Sequence, residues 1–141
     1  MKKLIQSFSL SVDFYQRAHA MHWNVTGIDF PVYHQFFAII YQEVYAVIDI
    51  FAEQIRVTDN FTPSIHQALL QSTLPESGNI TGTKAFLMLK ELDICNELVI
   101  NSLNSAFNEA TLADEQGLAD FLSARIDAHK KHGWMIKSCL Q

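Results

Sequence analysis

Pro31–Thr58, PVYHQFFAIIYQEVYAVIDIFAEQIRVT, is the stretch on which the fold turns. Its apolar residues recur at three- and four-residue steps on more than one side, and no glycine interrupts them, so it reads as one long helix. Proline at its start is tolerated because the first helical N–H has no partner there. Asp59-Asn60 closes it. Within its most apolar part, Phe36 to Ala52, the residues Gln42, Glu43 and Asp49 break the run, and such charges are costly in a bilayer. Burial inside protein is therefore expected instead of a membrane span. A helix apolar on nearly all sides needs cover from several directions, by its own bundle and by a neighbouring subunit.

Three more long helical segments flank it. The first runs from about Lys3 to Val25, with Leu4, Phe8, Val12, Tyr15, Ala18 and His22 on one side, and Gly27 ends it. After the long helix, Thr62 is positioned to cap a short turn of helix from Pro63 to Leu70. Pro75-Glu76-Ser77-Gly78-Asn79 then reads as loop. A third long helix should start near Thr81 or Thr83 and reach about Asn108, burying Leu89, Leu92, Cys95, Val99, Leu103 and Ala106. Thr111-Leu112-Ala113-Asp114 resembles a capping box, which predicts a fourth long helix from there to about Cys139.

The composition agrees with a single all-helical domain over residues 1–141. A hydrophobic fraction of 49% is too high for a disordered chain, and 5 Gly with 3 Pro leave little material for hairpin turns. The net charge is -5 and the basic residues are scattered, so no stripe for binding phosphates is visible. Cys95 and Cys139 lie far apart with no CxxC, and Lys2 and Lys3 lead into an amphipathic segment unlike a signal peptide. Free thiols and a cytoplasmic location are expected.

The residues with chemistry to offer are His22, His34, Asp49 and Glu53. Asp49 and Glu53 are four apart, hence on one face of the second helix, where two carboxylates repel. In so apolar a helix the pair calls for a neutralising cation or for solvent. Imidazole with carboxylate suits ferrous iron, and zinc or manganese as well. Taken singly, each of the four residues has an ordinary structural explanation.

Ala18-His19-Ala20-Met21-His22-Trp23-Asn24-Val25-Thr26-Gly27, followed by Phe30, His34 and Asp49-Ile50-Phe51-Ala52-Glu53, resembles the Dps family, the ferritin relatives that form dodecameric shells. Ala119-Asp120-Phe121-Leu122, Ile126-Asp127-Ala128-His129 and Trp134-Met135-Ile136 extend the likeness over most of the chain. The resemblance implies a ferritin-like four-helix bundle with a long connection between the second and third helices that carries a short extra helix. It implies a ferroxidase centre between subunits, in which His22 and His34 face Asp49 and Glu53 of a two-fold partner. The residues agree in one respect, since the Glu-x-x-His pairs of a di-iron site inside one bundle are absent from the sequence. Trp23 would sit against the metal, or fill the core.

In function, the resemblance implies that iron is oxidised with hydrogen peroxide or oxygen and stored as ferric mineral, which protects against oxidative damage. Asp120, and with it Asp114 and Glu115, would line acidic pores; solvated acids in a helix's first turn are the equal alternative. The family usually carries one more carboxylate four residues after the second histidine, where this chain has Ala38. That departure keeps open a second functional class, a metal-sequestering or structural shell without enzymatic activity. His19, His129 and His132 are expected to lie outside the site, the last two near a helix end where the dipole favours a cation. DNA-binding members commonly use Lys-rich tails, and no such run is seen, so DNA binding at neutral pH is not expected.

Overall fold

The computed structural model describes residues 1–78 and 84–141. Among them lie five helices, α1 (Lys2–Asn24), α2 (Phe30–Val57), α3 (Ile65–Gln71), α4 (Ala85–Leu112) and α5 (Gln116–Leu140). Short turns join α1 to α2 and α4 to α5, so each pair folds back on itself. The long connection carries α3 across to pack on α1, while α1 also packs on α2 and α4. This is the all-α four-helix bundle with an extra short helix in its link.

The breaks follow from backbone chemistry. Gly27 sits at φ +118 between α1 and α2, a conformation that a Cβ disfavours. Asp59, at φ 59, ends α2 where the Asp59-Asn60 pair foretells it. Pro31 occupies the first turn of α2.

Two helix starts differ from expectation. Ser64, not Thr62, caps α3, because its hydroxyl accepts from the Gln67 N–H while Gln67 answers the Ser64 N–H, a reciprocal capping box. Thr62 instead donates to the Ala52 carbonyl and ties the link to α2. The second correction is at Thr111, which starts nothing. Its hydroxyl donates to the Phe107 carbonyl as mid-helix threonines do, and buried Ala110 carries α4 on to Leu112. The chain reverses at Asp114, φ 60, so α5 begins at Gln116. Asn79, Thr81 and Thr83, parts of the expected loop and helix start, lie outside the described residues.

The predicted stripe of α4, Leu89 to Ala106, is buried throughout. On α1, Leu4, Phe8, Val12 and Ala18 are buried, whereas Tyr15 and His22 stay half-exposed at the seam with α2. Phe8 and Phe51 meet edge to face in the centre. In its most apolar window, only 33% of α2 is buried by this chain, and Val32, Ile39, Tyr45, Ile50 and Val57 stand exposed along it. One bundle does not cover that helix.

Candidate metal centre

His22 lies in the last turn of α1 and His34 in the first turns of α2, brought together by the Gly27 turn. Carbonyls in the last turn of a helix have no partner within it, and His34 supplies one. Its Nδ1–H donates to the His22 carbonyl at 2.7 Å, while the His22 Nδ1–H donates to the His34 carbonyl at 2.6 Å. A carbonyl only accepts, so both Nδ1 atoms carry a proton, and in the neutral imidazole each Nε2 is then the atom with the lone pair. That is the tautomer a metal-binding imidazole needs, with its orientation set by a backbone acceptor. The rings stack at 3.8 Å and 16°.

Asp49 and Glu53 are elsewhere. They are exposed, one turn apart on α2. Fifteen positions separate Asp49 from His34 on one continuous helix, about 22 Å at ~1.5 Å per residue. No metal reaches across that. Accordingly, no group of three or more His, Cys, Asp or Glu among the described residues is arranged to hold a metal. Each chain therefore carries an imidazole pair at one end of α2 and, apart from it, a carboxylate pair beyond the middle of the helix. Asp49 lines an open groove of about 520 Å³ with Tyr45, Ala52, Pro63 and Ile65.

The surroundings of the histidines are aromatic. Tyr41 lies 5.2 Å from His22 and stacks on His19 at 3.9 Å, with Trp23 on the other side of His19 at 4.1 Å. Trp23 is 62% exposed, so core filler is not its role. The Tyr15 hydroxyl and His19 Nδ1 are hydrogen-bonded at 3.3 Å. Burial, with His22 nearby, lowers the His19 pKa and favours its neutral form. Ala38, one turn past His34, is buried with no side-chain ligand to offer.

A second cluster escaped sequence reasoning. Inside the bundle, Glu43 of α2 accepts from both terminal nitrogens of Arg125, one of them at 3.1 Å, and from His132 Nε2 at 2.7 Å. Burial opposes its charge, but the hydrogen bonds from His132 and Arg125 win and hold its carboxyl well below the usual carboxylate range. His129 Nδ1–H donates to Asn96 Oδ1 at 2.9 Å while the Asn96 amide donates to the His129 carbonyl. Complete burial, then Arg125 and His132, push the His129 pKa well down. His129 and His132 are thus core residues two or more turns inside α5, which runs on to Leu140. Asp114, Glu115 and Asp120 are exposed at or just beyond the turn into α5.

Comparison with known proteins gives a consistent result. The model of the family described as "Ferritin-like domain" matches residues 1–141. A protein of Brevibacillus brevis named "DNA protection during starvation protein" is 29% identical over 133 residues, 92% of this chain and 87% of that protein. The crystal structure of Dps from Staphylococcus aureus superposes with a TM-score of 0.90 at 28% identity, covering 99% of this chain and 93% of that one. Dps from Thermosynechococcus elongatus gives 0.89 at 28% identity, covering 99% and 88%.

Proposed function

As this chain belongs to the ferritin-like family and is a Dps-type mini-ferritin, we propose that it takes up ferrous iron, oxidises it between subunits and stores the ferric product inside a shell. The observation that carries this is the separation of two complementary half-sets on one rigid helix. His22 and His34 present free Nε2 atoms, Asp49 and Glu53 present exposed carboxylates, and one chain cannot join them. A two-fold partner would do so twice, giving two equivalent centres per pair of subunits. The exposed apolar side of α2 is the surface such a pair would bury, and a dodecamer is the assembly proposed.

Iron is here the substrate. Carboxylates and imidazoles suit its ferrous state and stabilise the ferric product, zinc or manganese being the expected competitors. The reaction proposed is ferroxidase chemistry with hydrogen peroxide or oxygen, and Asp114, Glu115 and Asp120 are proposed to draw cations inward. Buried, non-ligating Ala38 supports a second reading, a shell that sequesters iron without oxidising it quickly. At a net charge of -5 the chain is not expected to hold duplex DNA at neutral pH and physiological salt.

Complementation tests the proposal. A chain carrying His22→Ala and His34→Ala, and another carrying Asp49→Asn and Glu53→Gln, should each be inactive in stopped-flow iron oxidation. Co-assembled from unfolded chains, they should regain activity, since a mixed pair rebuilds one complete centre. Failure of the mixture, with shells intact by light scattering, would refute the intersubunit centre, and slow oxidation by the unaltered protein would favour the sequestering shell.

A further inference from the structure

We propose that Tyr15, paired with His19, is a redox-active residue that gives hydrogen peroxide its second electron when the centre holds a single ferrous ion. The inference rests on the function proposed above. Ala38 motivates it. Without a carboxylate one turn past His34, the second metal position has fewer protein donors and fills poorly. A lone ferrous ion yields one electron, whereas peroxide needs two to become harmless. The missing electron otherwise comes from whatever the nascent hydroxyl radical strikes.

Geometry supplies a donor. From His22, ring contacts lead 5.2 Å to Tyr41, which stacks on His19 at 3.9 Å and 13°. Tyr15 lies 5.6 Å from His19 and 6.3 Å from Tyr41, with Tyr45 beyond it at 5.1 Å. Electrons cross such ring contacts without any moving part. A phenol that loses an electron becomes a strong acid, so it is a good donor only where a base can take its proton. Among the described residues Tyr15 is the tyrosine whose hydroxyl meets an imidazole, His19 Nδ1 at 3.3 Å. Tyr41 instead accepts from the Gln42 amide, which cannot take a proton.

The step balances. Ferrous iron loses one electron and Tyr15 the other, the O–O bond of peroxide breaks, and both oxygens leave as hydroxide. The Tyr15 proton passes to His19, leaving ferric iron, a neutral tyrosyl radical and imidazolium. The next ferrous ion returns an electron to the radical, which recovers its proton from His19. Each peroxide thereby oxidises two ferrous ions in succession and no hydroxyl radical escapes.

The assembled protein, loaded with one ferrous ion per centre and mixed with one equivalent of hydrogen peroxide, is to be freeze-quenched for electron paramagnetic resonance. A tyrosyl signal is expected whose hyperfine structure collapses with ring-deuterated tyrosine and is indifferent to deuterated tryptophan. Tyr15→Phe should abolish it and raise spin-trapped hydroxyl radical, and His19→Gln should lose it too, whereas Tyr41→Phe and Tyr45→Phe should retain it. A signal that persists in Tyr15→Phe, or that follows the tryptophan label, overturns the proposal. Should Tyr15→Phe not assemble, loss or retention of the signal in the Tyr41 and Tyr45 variants, with the label in the unaltered chain, decides it. Oxidation that requires Asp49 and Glu53 yet gives no tyrosyl radical overturns this inference alone. A radical undiminished by Asp49→Asn with Glu53→Gln overturns the centre as well.

Discussion

Two histidine clusters stand in this chain, and they differ in what their partners are. Around Glu43, Arg125 and His132 Nε2 both bind one carboxylate within the bundle, while His132 Nδ1 and His129 Nε2 are buried without a hydrogen-bond partner. At the α1–α2 seam, His22 and His34 spend only their Nδ1 protons, on each other's backbone. The inner cluster is buried by residues of its own chain, and its ion pair ties α2 to α5. In the proposed centre the outer pair is half a site, and the carboxylates that would match it, Asp49 and Glu53, lie on a distant part of α2. Residue types alone do not separate ligands from ballast; whether an uncommitted ring nitrogen is sealed in the core or open at the surface does.

The sharpest way to break the comparison is to remove each cluster's carboxylates in turn. Asp49→Asn with Glu53→Gln should abolish rapid iron oxidation in stopped flow. Because both side chains are exposed, metal-free stability of the unassembled fold should move by no more than about 0.5 kcal/mol. Glu43→Gln should do the reverse. A neutral amide leaves Arg125 charged and buried, and losing one partner of a buried pair costs ~3–5 kcal/mol, reduced here to about 2–3 by the part exposure of Glu43. Chemical denaturation checks it. Oxidation per assembled shell should persist. If Glu43→Gln abolished oxidation in intact shells, the inner cluster would have to be counted as part of the centre.

Acid should dissolve the inner cluster in two stages. His129 has a lowered folded pKa, so the unfolded chain takes up its proton first, and stability is lost as pH falls below the unfolded value of 6.5. The slope for one such proton is about 1.4 kcal/mol per pH unit. Glu43, also depressed, keeps its full contribution above its ordinary value of 4.5 and loses it as pH falls further. Thermal unfolding between pH 7 and 5 should therefore be less pH-dependent in His129→Gln than in the unaltered chain. An unchanged slope would show that His129 is not the group being charged.

Much of this was legible in the order of residues. The buried stripe of α4 follows from three- and four-residue spacing, and the Gly27 and Asp59 breaks from their backbone chemistry. Thr111 misled because a threonine followed by an acid looks alike at a helix start and inside a helix that is still burying Ala110. His129 and His132 read as side chains near a helix end, since their partners Asn96 and Glu43 come from other helices far away in sequence. Of the four candidate ligands, residue type and spacing left each with an ordinary structural explanation, and the resemblance to the Dps family singled them out together. The reciprocal hydrogen bonds from the Nδ1 atoms of His22 and His34 to each other's carbonyls are a tertiary fact, and no spacing rule contains them.

The smallest expected change, and the finest test of the outer pair as an unfinished site, is Ala38→Asp. Residue 38 follows His34 by one turn on α2, and at Tyr41 the same face packs on α1. Ala38 is only 4% exposed, so an aspartate there enters the seam largely without water. In the metal-free protein this should cost about 1–2 kcal/mol and raise the carboxyl pKa, because burial disfavours its charge. If the position faces the second iron, as proposed, metal supplies the missing counter-charge. Zinc, which carries no redox chemistry, should then restore the lost thermal stability of Ala38→Asp by more than it stabilises the unaltered chain. Titration should reveal a second tight metal per centre, with faster iron oxidation and a weaker tyrosyl signal, since two ferrous ions now supply both electrons. Equal zinc responses in the two proteins would mean that residue 38 faces packed side chains and not the metal, and that the second position is completed by other groups.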